Sequence, residues 1–192
     1  MSFPVLTNSL RLLHDAAAGV SERELDDRTP CPEWTVAQVL FHAAGDQHGW
    51  ASSIGSGAPP TYDPFNPPRR LDTGVMDVLD AAVMAATTAW AQLDAAAESV
   101  RTPLPPTPTL PPHLAAAACA LDAAIHAWDV TVATGRPSPL TPDLAHNLLP
   151  AARATAEPLR GFAYASALPA APGDDAAAAL LRYLGRDPHW TR

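Results

Sequence analysis

The chain has 192 residues, of which 47% are hydrophobic and 17% are charged, a composition typical of a folded globular protein and unlike that of a disordered one. It carries 20 acidic residues against 12 basic ones, for a net charge of −8, and every basic residue is an arginine. An acidic chain without a basic run is a poor match for a phosphate backbone, so we expect no nucleic-acid partner.

The N-terminal segment does not have the pattern of a signal peptide, because Arg11, His14 and Asp15 interrupt its apolar residues. No run of about 18 apolar residues occurs, so we expect no membrane span. The only two cysteines, Cys31 and Cys119, are expected to be reduced. The sequence therefore predicts a cytoplasmic protein, and its length suits one domain over residues 1–192.

Helices are predicted along most of the chain, because apolar residues recur at three- and four-residue steps and alanine is abundant. The second helix has the clearest start, where Thr35 and Gln38 form the pattern of a capping box. The predicted helices span residues 4–19, 35–54, 73–99 and 113–134, with a fifth that begins at Thr141 and a last that runs from 174 or 175 to 184.

Long connections separate these helices. Residues 55–72 form a loop rich in proline and glycine, of a length that often marks a lid or the wall of a site. Residues 101–112 form a proline-rich crossover, and residues 158–173 are irregular with room for a short strand. We therefore expect an all-α fold, a four-helix bundle with long crossover loops and short C-terminal helices.

The predicted fourth helix carries a carboxylate and an imidazole on the same side. Asp122 and His126 are four residues apart, so their side chains lie one turn apart beside the apolar stripe of the helix. A pair in this arrangement can bind one divalent ion. A surface ion pair is the alternative that the spacing leaves open.

The predicted second helix offers two histidines as a further ligand. His42 and Asp46 lie on one side of its apolar stripe, and His48 lies on the opposite side. His42 and His48 therefore cannot both reach the same ion from a straight helix. Helical geometry alone does not decide between them.

Three segments resemble a known family, in the order in which that family has them. Residues 29–42 read TPCPEWTVAQVLFH, residues 122–129 read DAAIHAWD, and residues 184–190 read LGRDPHW. They are similar to segments of the actinobacterial DinB-like proteins, which include the N-terminal domain of mycothiol-dependent maleylpyruvate isomerase. The third segment resembles the close of the shorter, single-domain members.

The resemblance implies a four-helix bundle of the DinB-like type that binds a divalent metal, commonly zinc or nickel, through two histidines and an acidic residue. It assigns the ligands to His42, Asp122 and His126, which selects His42 over His48. The family usually has glutamate at the position of Asp122, so this ligand is shorter by one methylene. A homodimer is a further expectation from the resemblance.

Three protein ligands leave a coordination position for water or a substrate, which is the arrangement of catalytic metal sites. A thiol placed there would lose its proton near neutral pH and become a nucleophile. The resemblance implies mycothiol, a low-molecular-weight thiol, as the cosubstrate of a transferase or isomerase that acts on a small electrophile. No residues remain for the second domain of the full isomerase, so maleylpyruvate isomerisation itself is not carried over.

Two other functions stay open at this point. The chain could be a metal-binding module without catalysis, or a helical scaffold whose site has degenerated. The presence of aspartate at position 122 is the feature that favours the scaffold.

Several side chains are assigned to the surroundings of the site. Asp46 and Asp129 are candidates to orient the imidazoles, and salt bridges on a helix face are the alternative. Trp50 is a candidate to line the pocket, although the tryptophans are mostly expected in the core. Arg69 and Arg70 are candidates to bind a substrate carboxylate, with a solvated pair as the alternative.

The two cysteines have simpler expected roles. Cys119 lies one turn before Asp122 and is either a soft extra ligand or, more simply, a small buried residue. Cys31, which stands between two prolines, is expected to serve packing.

Overall fold

Six α-helices carry the fold in the computed structural model, which describes residues 2–192. They confirm the predicted all-α class. Two 3-10 turns, at Glu22–Glu24 and Glu157–Leu159, lie between them. The helices are α1 (Pro4–Ala18), α2 (Val36–Ser53), α3 (Val75–Gln92), α4 (Pro112–Ala133), α5 (Pro142–Thr155) and α6 (Ala176–Tyr183).

The third helix is shorter than the prediction of 73–99. It ends at Gln92, because Leu93 adopts an extended conformation with ψ of 130°. The carboxylate of Asp94 then accepts a hydrogen bond of 2.9 Å from the backbone N–H of Ala96. Aspartate competes in this way with the hydrogen bonds of a helix, so the alanines that follow do not extend α3 despite their helical propensity.

The proline-rich crossover contains a small sheet that the sequence did not predict. Strand β1 (Val100–Arg101) pairs antiparallel with β2 (Thr109–Leu110), with Val100 opposite Leu110. The short strand considered for residues 158–173 is absent there, and only an isolated bridge joins Arg160 to Tyr164. Strands of two residues have too few alternating positions to leave a pattern in the sequence.

Helix α4 is the central element, since it packs against α1, α2 and α5. Helix α3 packs on α2, and α6 packs on α5. The alanines of α4 let these neighbours approach closely, so that both of its flanks and not just one stripe are buried. This position places the acidic residue and the histidine of α4 inside the bundle.

Among residues 2–192, α4 is the one helix that meets the length and composition expected of a membrane span. An 18-residue window within Pro112–Ala133 has a mean hydropathy of 1.2, although Asp122, His126 and Asp129 interrupt its apolar residues. Within the fold, however, 83% of that window is buried by the rest of the protein. The core of a helical bundle accounts for its apolar character.

The start of α2 and the segment before it hold two side chains next to α4. Thr35 caps α2, and its capping box with Gln38 is present as predicted. The hydroxyl of Thr29 donates within the preceding turn, at 2.9 Å from the carbonyl oxygens of both Cys31 and Trp34. This rigid turn brings Cys31 and Trp34 to the end of the bundle where His42 lies.

The end of α6 directs a further side chain to the same place. Gly185 has a φ of +79°, and the N–H of Arg186 donates to the carbonyl of Leu181 at 2.9 Å. This is a Schellman ending, in which glycine takes the left-handed position. The reversal of the chain at Gly185 is what directs Arg186 back toward α4.

We expect Gly185→Ala to destabilise the protein more than Gly135→Ala. Both glycines end a helix with positive φ, but a Cβ at Gly135 meets nothing within 4 Å, whereas at Gly185 it lies 2.8 Å from Ala165 Cβ. The left-handed conformation costs alanine about 1 kcal/mol at either site. The contact at Gly185 should add about 1–3 kcal/mol, measured as the free energy of unfolding in urea. Equal losses in the two variants would contradict this account.

Candidate metal centre

Helices α2 and α4 bring the three predicted ligands together. His42, Asp122 and His126 each offer a ligand atom, and these atoms all lie within 4.8 Å of one another. The two imidazole rings are nearly perpendicular, at 89°, with their centroids 4.7 Å apart. Nε2 of His126 is 3.4 Å from Oδ1 of Asp122, close to the roughly 3.4 Å that separates two ligands of a tetrahedral zinc ion. His48 is not among the residues of this cluster or of the cavity beside it.

Hydrogen bonds at Nδ1 leave Nε2 of each imidazole for a cation. Nδ1 of His42 donates to the carbonyl of Pro64 at 2.8 Å, which requires the hydrogen to be on that nitrogen. Nδ1 of His126 is 3.0 Å from Oδ2 of Asp129. Imidazoles that bind metals are usually held by such a partner on their other nitrogen. Asp129 therefore has the position predicted for it, while for His42 the partner is a loop carbonyl.

Asp46 does not orient the ring of His42, which is a correction to its expected role. Its Oδ2 lies 3.7 Å from Nε2, on the side of the ring where a cation would bind. Burial raises the pKa of Asp46 well above its ordinary value, and the nearby Asp122 adds to this shift. Because Asp46 lies one turn after His42, its carboxylate contacts the Nε2 side of the imidazole. It does not bind Nδ1, which pairs with the carbonyl of Pro64.

Burial and the neighbouring aspartates set the charges of the cluster. Burial lowers the pKa of His42 to about 4, and the charge of His126 contributes to the same shift, so His42 is neutral. Burial also works against the charge on His126, yet Asp122 and Asp129 together raise its pKa to about 9. Without an ion, this proton on His126 is the cluster's own counter-charge to the buried carboxylates. A neutral imidazole, an imidazole held by Asp129 and a carboxylate fit a divalent metal.

Asp122 is held by residues that the sequence analysis did not assign. Burial raises its pKa, but the charge and hydrogen bond of His126 outweigh burial, so the pKa falls below its ordinary value. Gln47 donates from Nε2 to Oδ2 of Asp122 at 3.1 Å, and its own Oε1 accepts from the thiol of Cys119 at 3.1 Å. Cys119 thus serves the buried hydrogen-bond network and is not part of the ligand cluster.

Arg186 is the functional neighbour that sequence reasoning missed. Its Nε and Nη2 bind the two oxygens of Asp129, each at 2.9 Å, and Asp129 is fully buried. Burial raises the pKa of Asp129, but Arg186 and His126 hold it well below its ordinary value. Arg186 lies in the quoted LGRDPHW segment, which was the one signal that could have indicated it.

Cys31 lies beside this ion pair and not simply in packing. Its Sγ is 3.4 Å from Oδ2 of Asp129 and 3.6 Å from Nη2 of Arg186. Burial raises the pKa of this thiol to about 12, and Asp129 adds to the shift, so the thiol stays protonated. Cys31, His126 and Asp129 also lie close enough to share an ion. The guanidinium of Arg186 disfavours a cation at that second position.

A cavity of about 220 Å³ opens beside the ligand cluster. His42, Asp122 and His126 lie in its wall, together with Trp50, as predicted for that tryptophan. Its apolar lining includes Trp34, Leu104, Phe65 and Phe162. The rings of Phe65 and Phe162 are 4.8 Å apart, and Phe162 is 61% exposed. The long loop after α2 supplies Phe65 and thus forms a wall of the cavity.

The structure places Arg69 and Arg70 away from this cavity, which corrects their expected role in binding a substrate. Arg70 pairs instead with Asp26 at 3.0 Å, and both side chains are exposed. Arg69 lines a separate surface groove. The loop is fixed by a hydrogen bond of 3.0 Å from Gln38 to the carbonyl of Pro67, and the residues that follow turn toward Asp26.

Comparisons with known proteins find one matching family model and two similar proteins. A family model described as "Mycothiol maleylpyruvate isomerase N-terminal domain" matches residues 6–131, a range that includes all three candidate ligands. Two uncharacterized proteins from strains of Mycobacterium tuberculosis, MT0763 and Rv0738, are each 31% identical to the chain over 175 residues. The match covers 88% of the chain and 88% of each relative. No solved structure matches the chain with significance.

Proposed function

The chain belongs to the mycothiol maleylpyruvate isomerase N-terminal domain family, and from this premise we propose that it is a divalent-metal-dependent enzyme. In the proposed reaction a low-molecular-weight thiol, mycothiol, adds to a small electrophile. A transferase releases the adduct as its product, whereas an isomerase releases the thiol again together with the isomer. The observation that carries the proposal is the convergence of two imidazoles and a carboxylate at the wall of a cavity large enough for a small molecule.

The proposed ligands of zinc or nickel are His42, Asp122 and His126. Three protein ligands leave at least one position of a tetrahedral ion for another molecule, as in catalytic sites. An ion held there would lower the pKa of a bound thiol, so that the thiol is ionised near neutral pH. Aspartate in place of the family's usual glutamate is compatible with this role, since Oδ1 already lies 3.4 Å from Nε2 of His126.

The surrounding residues hold the ligands and line the cavity. Asp129 fixes the ring of His126 through Nδ1, and the carbonyl of Pro64 fixes the ring of His42 in the same way. The aromatic rings of Trp34, Phe65 and Phe162 give the cavity an apolar lining that can bind the carbon skeleton of a small electrophile. A buried reaction centre with fixed polar groups is the arrangement that strengthens electrostatic effects on a nucleophile.

We expect zinc- or nickel-loaded protein to catalyse the mycothiol-dependent consumption of an epoxide or of a maleylpyruvate-like acid. The rate should exceed that of the chelator-treated protein at least about tenfold, because a thiol bound to the ion is largely ionised near neutral pH, whereas a free thiol is mostly protonated. Thiol is measured colorimetrically and products by mass spectrometry, with an absorbance assay for isomerisation that consumes no thiol.

The same samples separate the alternatives. One equivalent of bound metal without any thiol-dependent turnover would favour a metal-binding module. Failure to bind either metal would favour a helical scaffold with a degenerate site.

A further inference from the structure

We propose that Gln47 is a positioning residue that limits Asp122 to a single ligand atom, so that this carboxylate binds a cation through Oδ1 alone. The inference rests on the proposed function, because it concerns how one of the three proposed ligands meets the ion. Gln47 belongs neither to the ligand cluster nor to the lining of the cavity. It therefore acts through Asp122 and touches neither the cation nor a substrate.

The two oxygens of Asp122 have different partners. Oδ1 lies 3.4 Å from Nε2 of His126, on the side of the ligand cluster. Oδ2 accepts a hydrogen bond of 3.1 Å from Nε2 of Gln47. A carboxylate without such a bond turns easily about its last bond and binds a cation through either oxygen or through both. The hydrogen bond to Oδ2 opposes this rotation and leaves Oδ1 as the oxygen that faces the ligand cluster.

The chemistry of its neighbours fixes which end of the Gln47 amide faces Asp122. An ionised carboxylate only accepts hydrogen bonds, so the NH₂ group of the amide must face it. The carbonyl Oε1 then faces Cys119, whose thiol donates to it at 3.1 Å. Burial raises the pKa of the Cys119 thiol well above its ordinary value, and the charge of Asp122 adds to the shift, so this thiol keeps its proton. Both ends of the amide are therefore held in one orientation.

Gln47 reaches Asp122 from the interior of the bundle, and this separates it from the other neighbour of the carboxylate. Gln47 and Cys119 are both fully buried. Asp46 also hydrogen-bonds to Asp122, but it lines the cavity. A molecule that enters the cavity can displace the contact with Asp46, whereas loss of the contact with Gln47 would leave a buried N–H without a partner. The bond from Gln47 is therefore the one that persists when the site is filled.

The number of oxygens that Asp122 offers determines how much of the ion stays free. With Oδ1 alone, the chain supplies three ligand atoms, the number found in catalytic zinc sites with one open position. If both oxygens bound, the carboxylate would supply a fourth protein atom and leave less room for a thiol. Gln47 thus protects the position at which the proposed cosubstrate binds.

The test uses the full chain loaded with cobalt(II), whose visible absorption is intense in a tetrahedral site and weakens as further ligand atoms bind. Gln47→Met removes the donor to Asp122 but keeps the length of the side chain, so the core stays filled. We expect this variant to bind one equivalent of cobalt with a visible absorption per ion that is at least about twofold weaker, because the freed Oδ2 joins Oδ1 on the ion. The protein is kept at fixed pH and salt, without added thiol.

Gln92→Met is the matched control, since Gln92 is exposed at the end of α3, and it should leave the absorption unchanged. Circular dichroism checks the fold of each variant. If Gln47→Met does not fold, a smaller pair of changes decides. Cys119→Ser keeps a donor to Oε1 of Gln47 and should preserve the absorption, whereas Cys119→Ala removes that donor and should weaken it. Equal absorption in these two variants would then contradict the proposal.

The results that would overturn this role of Gln47 differ from those that would overturn the proposed function. An unchanged or stronger absorption in Gln47→Met would exclude the positioning role and leave the metal centre in place. Loss of all cobalt from a folded Gln47→Met would also contradict it, because a freed carboxylate should still bind. Failure of the unaltered protein to take up cobalt would instead remove the metal centre itself, and with it the premise of this inference.

Discussion

His126→Ala is expected to weaken binding of zinc or nickel by more than about 100-fold. The change removes one of three ligand atoms that lie within 4.8 Å of one another. It also leaves Asp129 with one hydrogen-bond partner fewer, so the site is altered in charge as well as in geometry. Affinity is measured by competition with a chromophoric chelator, and stoichiometry by elemental analysis of the protein.

The matched control is His48→Ala, which removes the other histidine near the middle of α2. His48 lies outside the ligand cluster and the cavity, so we expect the stoichiometry and affinity for metal to be unchanged. Loss of metal in both variants would point to a general effect on folding. Loss in His48→Ala alone would contradict the assignment of His42.

Arg186→Met should lower the free energy of unfolding of the metal-free protein by about 3–5 kcal/mol. The substitution has nearly the same length but leaves the carboxylate of Asp129, which is fully buried, without its guanidinium partner. For a chain of this size we expect the melting temperature to fall by about 10 °C. Urea and thermal unfolding measure the two quantities.

Arg70→Met is the control for this prediction, because Arg70 also pairs with an aspartate, but on the surface. Exposed ion pairs contribute little, so no measurable loss is expected. The double change Arg186→Met with Asp129→Asn should recover part of the loss, since no unpaired charge remains. Equal stability of Arg186→Met and Arg70→Met would show that the buried pair does not support the fold.

The helices could be predicted from the sequence because a helix that is buried on one side has apolar residues at three- and four-residue steps. The capping box of Thr35 and Gln38 also fixed the start of α2 within one residue. The predicted end of α3 was wrong because the turn at Asp94 depends on a single side chain within a run of good helix formers. The two-stranded sheet was missed, since each strand has only two residues.

The candidate site could be predicted only as far as one helix extends. The spacing of Asp122 and His126 indicated a shared side of α4, but the choice of His42 over His48 needed the family resemblance. Asp129 was expected to hold an imidazole. Its ion pair with Arg186 joins residues 57 positions apart, and no helical period predicts a contact over that distance in the sequence. Tyr164 lines the cavity from an irregular segment, where no periodic pattern indicates which side chains face the site.

The ion pair between Asp129 and Arg186 affects the order in which the parts of the site form during synthesis of the chain. A nascent chain leaving the ribosome has both imidazoles and Asp122 long before residue 186 is made. Until Arg186 docks, His126 is the one cationic side chain of the described residues in contact with Asp129, and a buried carboxylate with a single partner is costly. The support of the imidazole in α4 is therefore complete only after a segment far downstream of the ligands has been synthesised and has docked.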